Sequence, residues 1–196
     1  MKDKYFFHHF NSRFFKISGK DSETFIQNLI TNDIQKCING SIIYSCLLTP
    51  QGKFLADFFI FNINENYFFE TNEKFYKNLL SRLKIYKLRS DIQIEEVNEF
   101  YSYSIFNMNY EANSNFLLND PRNSNIGKKL ILNNKIKISD SNIEEISEIE
   151  YHEILIANTI PYSPFDILEN KSLLLENNFD NLNAIDWDKG CYVGQE

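Results

Sequence analysis

Apolar and polar positions along the first hundred residues follow two periods. Arg13-Phe14-Phe15-Lys16-Ile17 reads as a strand, closed by a turn at Ser18-Gly19-Lys20. Asp21 then stands where a helix N-cap belongs. Phe25, Ile26, Leu29 and Ile30 recur at helical spacing as far as Thr31-Asn32-Asp33. Ser41 to Thr49 is apolar enough for a buried strand. Thr49-Pro50-Gln51-Gly52 puts Pro and Gly where a tight turn needs them, so Phe54 to Ile63 returns as the antiparallel partner. Asn64-Glu65-Asn66 turns the chain again, into Tyr67-Phe68-Phe69-Glu70.

From Glu73 to Lys87 the period lengthens. Phe75, Leu79, Leu80, Leu83 and Tyr86 form one stripe of a helix that packs on the sheet. Ile92, Ile94 and Val97 predict a strand, and Tyr101 to Phe106 another. Residues 107 to 142 are polar and broken by Asp120-Pro121-Arg122 and Gly127, which predicts loops with one short strand around Leu130 to Leu132. Ser141 or Asn142 is expected to cap a helix to about Asn158, with Ile146, Ile149, Ile154 and Ile156 inward, before Pro161 and Pro164. The order β-α-β-β-β-α-β-β is an α+β fold, with helices packed on a largely antiparallel sheet. Two subdomains are expected, 1–105 and 106–196, both α+β.

Composition narrows the function. The chain has 196 residues with 43% apolar content, enough to bury a core without staples. A formal net charge of -7 argues against direct nucleic-acid binding. One basic run, Lys74, Lys77, Arg82, Lys84, Lys87 and Arg89, is interrupted by no acid. It is either a solvated helix face or a patch for an anionic tail such as the glutamates of a folate. Cys37, Cys46 and Cys191 form no C-x-x-C pair, and the start carries no long apolar stretch, so free thiols in a reducing cytoplasm are expected. No run approaches the roughly 18 apolar residues of a membrane span. Phosphate-loop, dinucleotide and H-E-x-x-H motifs are missing from the sequence. His8-His9 are expected at an unanchored start and His152 stands alone on a helix, so no metal site is assigned.

The residues around Cys191 are unusual for a structural cysteine. Gly190 and Gly194 permit close backbone approach, and the Lys189 ammonium lies two positions away, where it would favour thiolate. A nucleophile, a redox sensor or a metal ligand all fit, and so does a cysteine that merely packs.

Lys189-Gly190-Cys191-Tyr192-Val193-Gly194-Gln195-Glu196 resembles the signature of the YgfZ-type proteins, folate-binding relatives of glycine-cleavage aminomethyltransferase (GcvT) linked to iron–sulfur protein maturation. Residues 13–21, Leu29-Ile30-Thr31-Asn32-Asp33, Leu47-Leu48-Thr49-Pro50-Gln51-Gly52-Lys53, Tyr86-Lys87-Leu88-Arg89 and Asp120-Pro121-Arg122 stand in family-like order. The resemblance implies an aminomethyltransferase-like fold with 1–105 as the folate-binding subdomain and 106–196 ending in the signature loop. It implies tetrahydrofolate or a derivative as cofactor, with Asp57, Glu176, Gly190, Tyr192, Gly194, Gln195 and Glu196 about the folate and Cys191 and Lys189 as the catalytic pair. It also implies iron–sulfur client or assembly proteins as partners, with tRNA modification supported only indirectly and no membrane attachment.

The alternative is a folate-dependent aminomethyl or one-carbon transferase. Ala56 beside Asp57, where aminomethyltransferases carry a neighbouring aspartate, argues against it, and Leu175 replaces a Pro common before the family's glutamate. Relatives run on past the octapeptide into a β-barrel domain. The chain is therefore expected to be C-terminally truncated, with apolar surface exposed and a tendency to self-associate.

Overall fold

A computed structural model describes residues 4–108, 116–135 and 143–195. The first sheet is antiparallel throughout. It contains β2 (Ser12–Ser18), β3 (Ile42–Leu48), β4 (Phe54–Ile63), β5 (Asn66–Asn72) and β6 (Gln93–Val97), in the order β3-β4-β5-β2-β6. Both hairpins close where turn chemistry put them. Gly52 has φ +72°, and its N–H donates to Thr49 O at 3.0 Å. Asn64 and Glu65 have φ +49° and +63°, the left-handed pair that a two-residue primed turn requires.

The second sheet was not expected. β1 (Lys4–His8), β7 (Tyr101–Phe106), β8 (Phe116–Asn119), β9 (Lys128–Leu132) and β10 (Ile143–Glu145) pair in the order β10-β1-β7-β9-β8, with β1 and β10 parallel and the rest antiparallel. The start of the chain is therefore anchored. Tyr5 stacks on Phe106 with ring centroids 4.6 Å apart, and His8 stacks on Tyr103 at 4.8 Å. The reason is non-local pairing: β1 finds its partners about a hundred residues away, where local periodicity carries no signal.

The helices are α1 (Ser22–Gln27), α2 (Glu73–Lys87), α3 (Glu148–Ala157) and the single turn α4 (Ser163–Asp166). α2 begins at the Asn72 cap, whose side chain accepts from Lys74 N, and buries Phe75, Leu79, Leu80 and Leu83. Asp21 does not cap α1 with its side chain; its Oδ2 accepts from Asp91 N at 2.8 Å and ties the helix to the approach of β6. α3 is shorter than expected. Its cap is Ser147, in a reciprocal capping box with Glu150, and residues 143–145 form a strand instead. Ser141 and Asn142, the expected caps, lie outside the described residues. The buried face of α3 is Tyr151 and Leu155, while Ile149 and Ile156 are exposed.

One large core joins these parts. Phe15, Phe69 and Phe75 share it with Tyr151, Leu155, Phe179 and Leu182, so residues 146–184 pack on the same apolar body as the first hundred. The fold is α+β, with antiparallel sheets and few helices.

Candidate functional site

Where β4 and β5 face β1, β9 and α3, the core turns polar. A cavity of about 60 Å³ is lined there by Phe7, Asp57, Phe59, Glu70, Arg122, Lys129, Tyr151 and Ser163, among others. Asp57 faces it from β4, with Oδ2 accepting from Tyr44 Oη and from Ser163 Oγ, each at 2.6 Å. Burial raises the Asp57 carboxyl above its usual range, and the two hydroxyls and the Arg122 charge draw it part of the way back. Arg122 forks onto Asp120 through Nε at 3.0 Å and Nη2 at 2.8 Å, and also donates to Tyr151 Oη at 3.1 Å. Lys129, only 2% exposed, reaches Glu70 Oε1 at 3.0 Å and lies 4.2 Å from the Phe59 ring centre. His9 donates to or accepts from Ser104 Oγ at 2.9 Å; burial, with Lys129 and Arg122 nearby, holds its pKa well below the ordinary value. Buried charge on this scale needs full pairing to be stable, and most of it is paired.

The second feature is the loop that carries Cys191. Its foundation is the segment Thr31-Asn32. Thr31 Oγ1 donates to Ala184 O at 2.6 Å and accepts from Cys46 N, while Asn32 Nδ2 bridges Tyr44 O and Asn183 O at 2.9 and 2.8 Å. Asp186 then accepts from Asp188 N and Lys189 N and pairs with Lys36 at 2.6 Å, a contact that holds its carboxyl below the usual range.

Lys189 points inward. Its Nζ donates to Gln27 O, Ile30 O and Asn32 O at 2.7, 2.6 and 2.9 Å, which satisfies carbonyls at and beyond the end of α1. Burial lowers this ammonium to about 8, against the pull of Asp33 and Asp186. The expected role of Lys189 as the group that activates Cys191 is thereby corrected, because the ammonium is committed to the backbone beneath the loop. Past the cysteine, Val193 N donates to Asn28 O at 3.1 Å. Gly194 has φ +83°, and a Cβ there would stand 2.3 Å from Thr49 O. The loop is thus pressed onto the β3–β4 turn, where only glycine fits.

Cys191 is exposed on this tethered loop, whereas Cys37 and Cys46 are buried and free. Burial pushes the Cys37 thiol up to about 12 and raises Cys46 well above its ordinary value, so both are inert. The remaining expected residues divide. Asp57 lines the cavity. Glu176 does not: it is exposed on the 3-10 turn Leu175–Asn177. Tyr192 is half-buried with Lys189 Nζ 5.0 Å from its ring centre, and Gln195 closes a turn by accepting from Tyr192 N. Gly190 is unconfined, and Glu196 lies outside the described residues. Tyr44, Glu70, Lys129, Tyr151 and Ser163 were not singled out as site residues in the sequence, and Arg122 was marked only as part of Asp120-Pro121-Arg122. Among the described residues no group of three or more His, Cys, Asp or Glu could hold a metal ion, and no helix is long and apolar enough to cross a membrane.

Antiparallel sheets around a polar cavity, with a loop tethered to the end of α1, make up an α+β domain. Residues 7–106 match the family described as the GCVT N-terminal domain, and the chain belongs to that family. Its curated relatives include proteins named iron-sulfur cluster assembly factor IBA57 homolog, mitochondrial. That of Mycosarcoma maydis is 28% identical over 92% of this chain and 49% of its own length. Those of Neurospora crassa and Dictyostelium discoideum are 28% and 27% identical, over 94% and 92% of this chain and 47% and 55% of theirs. The chain spans about half the length of these relatives. Among solved structures, the aminomethyltransferase T of the glycine cleavage system from Bartonella henselae superposes on 53% of this chain and 28% of its own, with 15% identity and a TM-score of 0.48. The cytoplasmic placement expected from the thiols is corrected: the curated relatives that the chain matches are named as mitochondrial proteins. Free thiols report a reducing environment, which is not one compartment.

Proposed function

We propose that the chain is the thiol-presenting part of a factor for assembly or repair of iron–sulfur clusters in client proteins, of the YgfZ type. The observation that carries this is the contrast between an exposed Cys191 and the buried contacts beneath it: Lys189 in a ring of three carbonyls and Gly194 against Thr49. A reactive group held at a surface by buried hydrogen bonds is placed for a macromolecular partner. The names of the curated relatives support the same direction. Partners are then iron–sulfur assembly or client proteins, and tRNA modification depends on the chain only through clients that carry clusters.

Folate enters through the cavity. Its carboxylates and aromatic walls suit the donor edge of a flat group such as a pterin. Asp57 and Glu70 would face that edge in this reading. Tetrahydrofolate would supply a one-carbon carrier there, and the transferase alternative would rest on Asp57 as the carboxyl nearest that carrier.

The test uses cells lacking the full-length protein, complemented with wild type or Cys191→Ala, and reads the activity of a [4Fe-4S] enzyme. Rescue by wild type alone supports the thiol reading. Equal rescue by both assigns Cys191 to packing, and failure of both removes the cluster role; formaldehyde transfer to tetrahydrofolate then becomes the assay of choice.

A further inference from the structure

α2 ends in a turn that displays an apolar side chain. Ser90 N donates to Lys87 O at 2.8 Å, and Leu88 between them has φ +42° and ψ -107°. That is the second position of a primed turn, where glycine is at ease and leucine is strained. Leu88 is also 87% exposed, and Ile85, three residues earlier on the helix, is 61% exposed. The turn is held from below, since Asp21 Oδ2 accepts from Asp91 N at 2.8 Å and Asp21 N donates to Asp91 O at 3.3 Å. A large apolar side chain fixed outward on strained backbone does nothing for the core, and points to binding.

Cations share this end of the helix. Arg82, Lys84 and Arg89 are exposed, Lys87 is half-buried, and none of the four forms an ion pair among the described residues. Beside them lies a groove of about 340 Å³ between α1 and the end of α2, lined by Phe25, Asn28, Leu29, Tyr86 and Ser90 among others. Its acid, Asp21, is the one engaged by Asp91 N. The groove borders the cysteine loop, because Asn28 O accepts from Val193 N at 3.1 Å. The polar cavity is at the other end of α2, where Lys74 Nζ donates to Pro164 O at 2.6 Å. Lys87 stands about 20 Å further along the helix at 1.5 Å per residue, so these cations serve the groove.

We propose that the end of α2 and the adjoining groove dock an acidic segment of an iron–sulfur client or assembly protein, its carboxylates on Arg82, Lys84, Lys87 and Arg89 and its apolar side chains in the groove and against Leu88. Charge selects the occupant. On a chain of net charge -7, four unpaired cations attract a segment that stays within a Debye length of about 8 Å, whereas an anionic membrane plane also meets the negative field around them. The partner's identity rests on the thiol reading; the docking surface does not.

The experiment titrates the full-length protein with the fluorescein-labelled peptide Glu-Glu-Leu-Phe-Asp-Glu-Leu-Glu, and with the same peptide carrying Ser in place of Leu and Phe, by fluorescence anisotropy. The apolar peptide is expected to bind about tenfold more tightly, and to weaken as salt is raised. Arg82→Glu/Arg89→Glu is expected to reduce its affinity about tenfold, while Lys4→Glu/Lys135→Glu, which shifts the net charge equally at exposed sites elsewhere, leaves it unchanged. Leu88→Gly relieves the backbone, so its thermal midpoint should not fall while its affinity for the peptide does, a combination that a purely structural Leu88 would not give. No binding of the apolar peptide, equal binding of the two peptides, or equal loss in the two charge variants would overturn the assignment. Binding to phosphatidylserine vesicles in place of the peptide would give the surface to a membrane instead. Complementation with Cys191→Ala separates the readings. If the peptide binds through α2 and Cys191→Ala rescues, the docking surface stands and the thiol reading falls. If Cys191→Ala fails to rescue while peptide binding ignores the α2 variants, the reverse holds.

Discussion

The ammonium of Lys189 lies 2.6 Å from the carbonyl of Ile30, across 159 positions of sequence. With Gln27 O and Asn32 O it closes the end of α1, and it does so from the first residue of the cysteine-bearing octapeptide. One side chain therefore terminates a helix and fixes a functional loop. Its removal leaves buried carbonyls without donors, each a penalty of about 1–3 kcal/mol. Lys189→Met is expected to lower unfolding free energy by about 2–4 kcal/mol in urea denaturation, some of the loss being relieved by water. Cys191 should at the same time react with a thiol reagent at a rate no longer limited by a single loop geometry. Unchanged stability would show that the ammonium is not held as described.

The two glycines flanking Cys191 are predicted to differ. Gly194 is at φ +83° with backbone 2.3 Å from where a Cβ would sit, whereas a Cβ on Gly190 meets nothing within 4 Å. Gly194→Ala should cost about 1–3 kcal/mol and free the loop from Asn28 O and Thr49. Gly190→Ala should stay within about 0.5 kcal/mol of wild type. Thermal unfolding of the pair, with hydrogen exchange at Val193 N, checks both values against one another.

Arg122 carries a larger share of stability. Asp120 and Arg122 are 4% and 7% exposed, and the fork between them is joined to Tyr151 on α3. Arg122→Met leaves a buried carboxylate unpaired and is expected to destabilise by about 3–5 kcal/mol. Arg122→Met/Asp120→Asn should recover a large part of that, because the remaining group is neutral. Additive losses in the double variant would contradict the pairing.

How much of this was legible in the sequence follows from the range of each interaction. β4, α2 and β7 were read to the residue because each rests on local periodicity, and the two hairpin turns because Gly52 and Asn64-Glu65 are local chemistry. The capping box Ser147–Glu150 is equally local, but Ser141 and Asn142 offer the same capping chemistry earlier in the chain. β1 was missed because its partners are β7 and β10. The cavity was missed for the same reason: Glu70 meets Lys129 across 59 positions, and a single charged residue inside an apolar strand reads as an edge or an error until its partner is seen. Glu176 was placed by resemblance, and the fold sets it on the surface. Cys191 was picked out correctly as an exposed loop thiol, but Lys189 beside it in sequence turns away to serve the backbone.

Asp57 offers a test of stability against function. A carboxyl whose folded pKa is raised binds its proton more tightly in the folded chain than in the unfolded one. Folding then takes up protons, and stability falls as pH climbs from the unfolded value near about 3.9 to the folded one. Above that window the full cost of the buried charge is present. Asp57→Asn keeps an oxygen that accepts from Tyr44 Oη and Ser163 Oγ and removes the charge. Its thermal midpoint is expected to exceed that of wild type at pH 7, and the two should converge as pH approaches about 3.5, where the wild-type carboxyl is protonated in both states. The same variant should weaken whatever the cavity binds through the Asp57 charge. A midpoint below wild type at pH 7 would mean that the charge is stabilised in the fold, and Asp57 would then be a structural anchor for Ser163 and α4.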